Sequence, residues 1–274
     1  MRRFATAGMY PRAASCRVAS VAVPLPTIEA TRYVTPLREG GSLPALVEAS
    51  DEGLYVLKFT GAGKGPKALV AEVVAGELAR ALGFAVPELA LVELDPALAV
   101  AEPDPEIQDL LQASAGLNLG VDFLPGALPF SAAAGPPPVP ELAAEVVWFD
   151  ALVTNVDRTA KNTNMLLWHD RLWLIDHGAA LYFHHAAERD EAHARLPFAA
   201  VAEHVLLPFA GSIAAADDRL APRVTDALLS AVVDAAPGEW LGGDDRSVYA
   251  DYLRARLAEP REFVAEAERA RERQ

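Results

Sequence analysis

Apolar and polar positions change their period along the chain, and the change separates two regions. From about residue 31, short apolar runs alternate with breaks. Arg32–Leu37 reads as extended, Gly40-Gly41-Ser42-Leu43-Pro44 interrupts it, and Ala45–Ala49 resumes it. Asp51-Glu52-Gly53 then turns the chain into Leu54–Phe59, a run of β-forming residues. Short runs joined by Gly-containing connections predict hairpin-paired strands. Ala68–Leu82 carries Leu69, Val70, Val73, Val74, Leu78 and Leu82, a helical pattern that Gly83 ends. Phe84–Leu94 reads as a strand, and Pro87 assigns it to an edge.

The middle of the chain is polar and rich in proline. Residues 95–106 hold four acidic residues and three prolines, and Gly126–Pro140 holds five prolines. Both read as connections. A helix is expected from about Glu141, behind Pro140, with Val146, Val147, Trp148, Phe149 and Leu152 as its apolar content. Met165–Trp168 and Leu172–Ile175 are short strands around a turn at His169-Asp170-Arg171. Helical patterns follow at Pro197–Leu207, Arg223–Val233 and Tyr249–Arg273, the last divided at Pro260, with a turn at Trp240 and Gly242-Gly243. The alternating charges of Glu259–Arg273 fit a helix that packs on the domain, mediates assembly or stays solvated. Residues 1–25 show neither period and read as a flexible tail. The pattern therefore predicts an α+β protein with a β-rich N-terminal lobe, a polar connector and a mostly helical C-terminal lobe. A cleft between two lobes is where a ligand is expected.

Composition narrows the function classes. The chain has 274 residues, enough to bury a full core, and carries 24 basic against 38 acidic side chains, a net charge of −14. That acidity excludes a globally basic nucleic-acid footprint. Residues 1–50 hold six basic and three acidic residues, a net of +3, which leaves −17 on the rest. The one cysteine, Cys16, excludes an internal disulfide and a thiolate metal cluster. No apolar run reaches the roughly 18 to 20 residues of a spanning helix, and the stretch after Arg17 is too short and proline-broken for a leader. No membrane association and a cytoplasmic location are expected.

The densest polar cluster is Asn155-Val156-Asp157-Arg158-Thr159-Ala160-Lys161-Asn162-Thr163-Asn164. It lies between the apolar helix Val146–Val153 and the strand pair that ends in Asp176-His177-Gly178. A hairpin folds back, so Asp176 should return to the loop that holds Asp157. Two carboxylates and an amide converging there suit a hard cation such as Mg²⁺, which takes oxygen ligands and keeps waters and phosphates as the others. Asp157 would orient a hydroxyl or accept its proton, and Lys161 or Arg158 would neutralise phosphoryl charge.

These residues carry a family resemblance. Asp157-Arg158-Thr159-Ala160-Lys161-Asn162, followed by Asp176-His177-Gly178, resembles the catalytic and metal-binding segments of the HipA-like kinases. It is also similar to the wider protein-kinase and phosphoinositide-kinase superfamily, with His177 where an Asp-Phe-Gly triplet has Phe. The resemblance implies a bilobal kinase-like fold with a nucleotide-binding N-lobe at 26–115, a hinge at 116–125 and a C-lobe at 126–274. It implies that Asp157 is catalytic and Asp176 a Mg²⁺ ligand. The second ligand is Asn162, or Asn164 as its rival. Lys58, a charge inside the apolar strand Leu54–Phe59, would bridge ATP phosphates and pair with a helix carboxylate. Glu72 and Glu77 both qualify, and Glu72 stands nearer the helix start. Gly40, Gly41 and Ser42 would cover the phosphates, Lys64 and Lys67 would attract nucleotide, and Asn118 would sit in the adenine-facing hinge. Gly61-Ala62-Gly63-Lys64-Gly65-Pro66 lacks Walker spacing, and Pro66 removes an amide such a loop needs.

The implied activity is transfer of the γ-phosphoryl group from ATP, with Mg²⁺, to a hydroxyl, by analogy on a protein serine or threonine. A regulatory partner is a further expectation. Two other readings stand beside it: a kinase-fold protein that binds nucleotide or modifies itself with little transfer, and a non-catalytic protein whose acidic surface recruits a basic partner.

Overall fold

The computed structural model describes residues 24–37, 43–63, 65–186 and 190–274. The expected phosphate-covering residues Gly40, Gly41 and Ser42, the expected Lys64, and most of the expected tail lie outside the described residues.

Three strands open the fold, β1 (Thr27–Pro36), β2 (Ala45–Ala49) and β3 (Leu54–Lys58). In β2, Ala45, Val47 and Ala49 are buried and alternate with less buried neighbours, the two-residue period of a strand with one face inside. Helix α1 (Pro66–Leu82) follows. Pro66 occupies its first turn, and Gly83, at φ 94°, ends it in the left-handed conformation. The Gly83 and Phe84 amides donate to Arg80 and Ala79, closing the last turn. Strand β4 (Leu89–Leu94), helix α2 (Pro105–Ala113) and strand β5 (Gly116–Asp122) complete the lobe. The five strands close into a barrel in the order β1-β2-β3-β5-β4, and the β1–β4 seam is parallel. Its interior is a small apolar core that includes Val47, Leu57, Phe59, Val92 and Leu94, with Ile107 and Leu111 of α2 packed against them.

Helix α1 is buried along nearly its whole length, because it is sandwiched between the barrel and the second lobe. Its buried faces include two carboxylates, Glu72 and Glu77. The second lobe begins with the two-residue strand β6 (Leu128–Pro129) and helix α3 (Pro140–Leu152), followed by the hairpin β7 (Met165–Trp168) and β8 (Arg171–Leu174). The β6-β7-β8 sheet is antiparallel, and His169 and Asp170 make its turn with positive φ, the primed geometry of a two-residue hairpin. Helices α5 (Ile213–Leu220), α7 (Ser247–Leu257) and α8 (Glu262–Glu272) pack on α3, while α6 (Asp226–Asp234) packs on α1 and α7, and α4 (Glu191–Ala194) on α7. Phe263 of α8 is buried against Trp148, with ring centroids 6.0 Å apart. The C-terminal helix is thus part of the core.

Four expectations change. The strand expected over Phe84–Leu94 begins only at Leu89, after Pro87. Residues 84–88 lie against the hairpin of the second lobe instead, where the Leu174 amide donates to Ala85 O at 2.8 Å. The connector at 95–106 contains a short 3-10 turn and the start of α2, whose Asp95 and Asp104 accept N-terminal amides. Pro197–Leu207 forms short 3-10 turns, and α5 was not anticipated. Residues 116–122, expected as hinge, form a full barrel strand, and the crossing to the second sheet falls at 123–127.

Candidate functional site

Lys58 ends β3 and faces α1. Its Nζ donates to Glu72 Oε2 at 2.7 Å and to Asp176 Oδ1 at 2.8 Å. Three elements from two lobes therefore meet at one ammonium group. The Glu72 side chain is 3% exposed and that of Asp176 is 49% exposed, so the buried partner anchors the lysine and the other faces the cleft. Burial opposes the Lys58 charge, but Asp176 and Glu72 outweigh it and raise its pKa above the ordinary lysine value. Burial likewise opposes ionisation of Glu72, but Lys58 and His177 hold its carboxyl well below the usual range. His177 is buried, with Nδ1 3.8 Å from Glu72 Oε1 and its ring edge-on to Phe149. A Cβ at Gly178 would sit 3.4 Å from Glu72 Oε2 and 3.7 Å from Asp176 Oδ1. A larger residue there would extend its side chain into this junction.

The polar loop after α3 closes on Asp157. Its Oδ2 accepts from Asn162 Nδ2 at 2.8 Å and from Asn164 Nδ2 at 3.4 Å, and Asn164 Nδ2 also reaches Asp157 O at 3.2 Å. Asn164 and Asp176 both have positive φ, 47° and 54°. The Ile175 amide donates to Asn164 O at 3.0 Å, so the hairpin returns Asp176 to the end of the loop. The fold-back inferred from the strand–turn–strand pattern is what the backbone does.

Beneath the loop lies Asp150, on the last turn of α3 and fully buried. Its Oδ2 accepts from Arg158 Nε at 2.5 Å and from His204 Nε2 at 2.9 Å, and its Oδ1 accepts from Asn155 Nδ2 at 3.0 Å. Because His204 Nδ1 accepts from the Leu206 amide at 3.0 Å, the ring proton sits on Nε2. Burial opposes the charge on Asp150, but Arg158 and His204 bring its pKa well below the usual range. Arg158 is therefore a buried strut and not the free cation its place in the motif suggested.

The sequence model of HipA-like kinases matches residues 31–261. The chain belongs to the HipA-like kinase family. Among solved structures, that of a Helicobacter pylori proinflammatory kinase, CtkA, is similar at a TM-score of 0.52 and 15% identity, covering 90% of this chain and 99% of that one. At that identity the likeness concerns the fold, a β-rich lobe joined to a helical one. No curated protein matches in sequence.

In this HipA-like kinase, Lys58, Glu72 and Asp176 are brought together, and Asp157, Asn162 and Asn164 form the loop beside them. Lys161 is exposed. Lys67, by contrast, pairs with Asp244 Oδ2 at 2.7 Å and donates to His184 O at 3.3 Å, so it ties α1 to the C-lobe. The Asn118 side chain is buried and committed to the barrel: Oδ1 accepts from Thr60 N and Oγ1, and Nδ2 donates to Ser114 O and Gly116 O. Glu77, the other helix carboxylate, faces Arg80 at 3.2 Å. Asp150 and His204 went unread in the sequence. Asp150 had a visible signal, a charge in an apolar helix, while His204 had none. No helix among the described residues is long and apolar enough to cross a membrane.

Proposed function

We propose that this HipA-like kinase is an ATP- and Mg²⁺-dependent phosphotransferase. The observation that carries the reading is the meeting of Lys58, Glu72 and Asp176 across the two lobes, 2.7 and 2.8 Å apart, beside the Asp157 loop. Glu72 orients the lysine so that its ammonium addresses the α- and β-phosphates of ATP. Asp157 Oδ2 is held by the two amides, and its Oδ1 carries no bond among the described residues. That oxygen is available to the hydroxyl of an acceptor. The acceptor oxygen attacks the γ-phosphorus, the bond to the β–γ bridging oxygen breaks, ADP departs, and the hydroxyl proton passes to Asp157. Lys161, exposed on the same loop, adds positive charge near the transferred group.

The donor set suits Mg²⁺. No three His, Cys, Asp or Glu residues among those described form a cage for a metal. The available donors are Asp176 and the side-chain oxygens of Asn162 or Asn164, a small all-oxygen set of the kind that leaves room for phosphates and waters. Bound there, Mg²⁺ would neutralise phosphate charge. Family membership supports a protein serine or threonine as the acceptor.

The test is transfer of labelled γ-phosphate from ATP, with Mg²⁺ titrated and then chelated, to a mixture of Ser/Thr peptides. Mg²⁺-dependent labelling that Asp176→Asn abolishes supports the reading. Label only on the chain itself selects self-modification, and no nucleotide binding at any Mg²⁺ concentration overturns the proposal.

A further inference from the structure

We propose that Asp150 is a positioning residue of this site, one that fixes the catalytic loop and the metal-binding strand end to each other. The inference rests on the phosphotransfer reading above and adds a residue that the loop motif does not contain.

Asp150 is fully buried, yet two of its three side-chain partners lead to the loop and the strand end. One branch runs through Asn155, whose Nδ2 donates to Asp150 Oδ1 while its Oδ1 accepts the Asp157 amide at 3.1 Å. This branch sets the direction from which Asp157 enters the loop. The other runs through Arg158, whose Nε donates to Asp150 Oδ2 and whose Nη1 donates to the carbonyls of Asn164 and, at 3.4 Å, Ile175. Those carbonyls belong to the residue before Met165 and the residue before Asp176. His204 supplies the remaining donor to Oδ2, and the chain beside it is pinned by the Val205 amide on Arg158 O at 3.1 Å.

A guanidinium forked between a carboxylate and two carbonyls is a rigid part, because its planar donors leave little freedom once bonded. All of these groups lie in a buried, low-dielectric setting where an unmet partner is expensive, so the network holds as a unit or fails as a unit. Asp157 and Asp176 are 19 positions apart in the chain and lie on different elements. One carboxylate indexes both. Its chemistry matters as well as its shape: only an anion accepts all three donors and balances Arg158, and an amide at the same place accepts through one oxygen.

The experiment is amide hydrogen exchange and steady-state kinetics on Asp150→Asn and on Asn155→Ala in the full chain. For Asp150→Asn, exchange should rise together in residues 155–164 and 174–177 and not in the barrel. Turnover should fall about a hundredfold, the scale set by small misplacement of reacting groups, with KM for ATP nearly unchanged. Asn155→Ala leaves the ion pair in place. It should raise exchange only around 155–158, with a smaller loss of turnover. If Asp150→Asn leaves either segment's exchange unaltered, or raises KM in proportion to the loss in kcat, the proposal is overturned. If the wild-type chain transfers no phosphate, the phosphotransfer reading fails by itself. The exchange of both segments then decides the positioning role: a joint rise supports it, and a rise in one or neither overturns it.

Discussion

Lys58 and Asp176 stand 118 positions apart in the chain and 2.8 Å apart in space. The first ends a barrel strand and the second follows the hairpin of the other lobe, so their contact measures how the lobes are set against each other. Lys58→Met should remove that contact and leave Glu72 buried without its cation. Productive ATP use is expected to fall about a hundredfold or more, the scale of removing a preorganised charge from a dry site. Equal kcat/KM across a full ATP titration would take Lys58 out of the site.

The amides on Asp157 separate by substitution. The exposed Asn162 side chain bonds only the Asp157 carboxylate among the described residues, whereas that of buried Asn164 also reaches the Asp157 main-chain carbonyl. The variant that loses the metal ligand should need about tenfold or more Mg²⁺ for half-maximal rate, as removal of a polar ligand implies. The other should keep its Mg²⁺ dependence. Mg²⁺ titration of Asn162→Ala and Asn164→Ala reads the difference directly.

Two cations of the same motif should behave in opposite ways. Arg158→Ala leaves Asp150 as an uncompensated buried charge and is expected to cost about 3–5 kcal/mol of stability. Lys161→Ala touches an exposed side chain, with a stability change within about 0.5 kcal/mol but a lower transfer rate. Urea unfolding beside a rate measurement tests both at once, and comparable losses of stability would contradict the assignment.

The two buried carboxylates give stability a direction in pH. Burial opposes the ionisation of Glu72 and Asp150, but their cationic neighbours outweigh it and depress both in the folded chain. In the unfolded chain they take up protons near pH 4. The unfolded state therefore binds more protons in that range. The stabilisation is present above it and is lost as pH falls toward the depressed folded values. Unfolding free energies measured from pH 7 to pH 3 should decline, and the decline should be shallower in Glu72→Gln. Parallel curves would show that Glu72 does not carry the linkage.

How far the sequence was legible follows from where each signal lay. Lys58 was readable as a charge inside an apolar strand, and Asp157 and Asp176 as polar residues framed by strong apolar segments. The start of α2 was not, because Asp104 and Pro105 are loop signals in a local window and helix-start residues once Ile107 and Leu111 have a barrel core to cover. Arg158 was legible as a charge but not as a buried one. Its carboxylate lies eight positions back, and the histidine that shares that carboxylate lies 54 positions beyond Asp150. Pairings of that kind are made by tertiary packing, and no period in the sequence announces them. The pairing of Lys67 was illegible for the same reason, its partner Asp244 being 177 positions away.

The parallel seam between β1 and β4 has a consequence for recognition. It joins only Thr27–Glu29 of β1 to Leu91–Glu93 of β4, so Ala30–Pro36, paired with β2 on one side, have no second strand beside them among the described residues. That stretch is where this lobe would take up an added strand. Elsewhere on the barrel a partner is read through side chains and loops, so discrimination there falls to surface chemistry, which on this chain is strongly acidic.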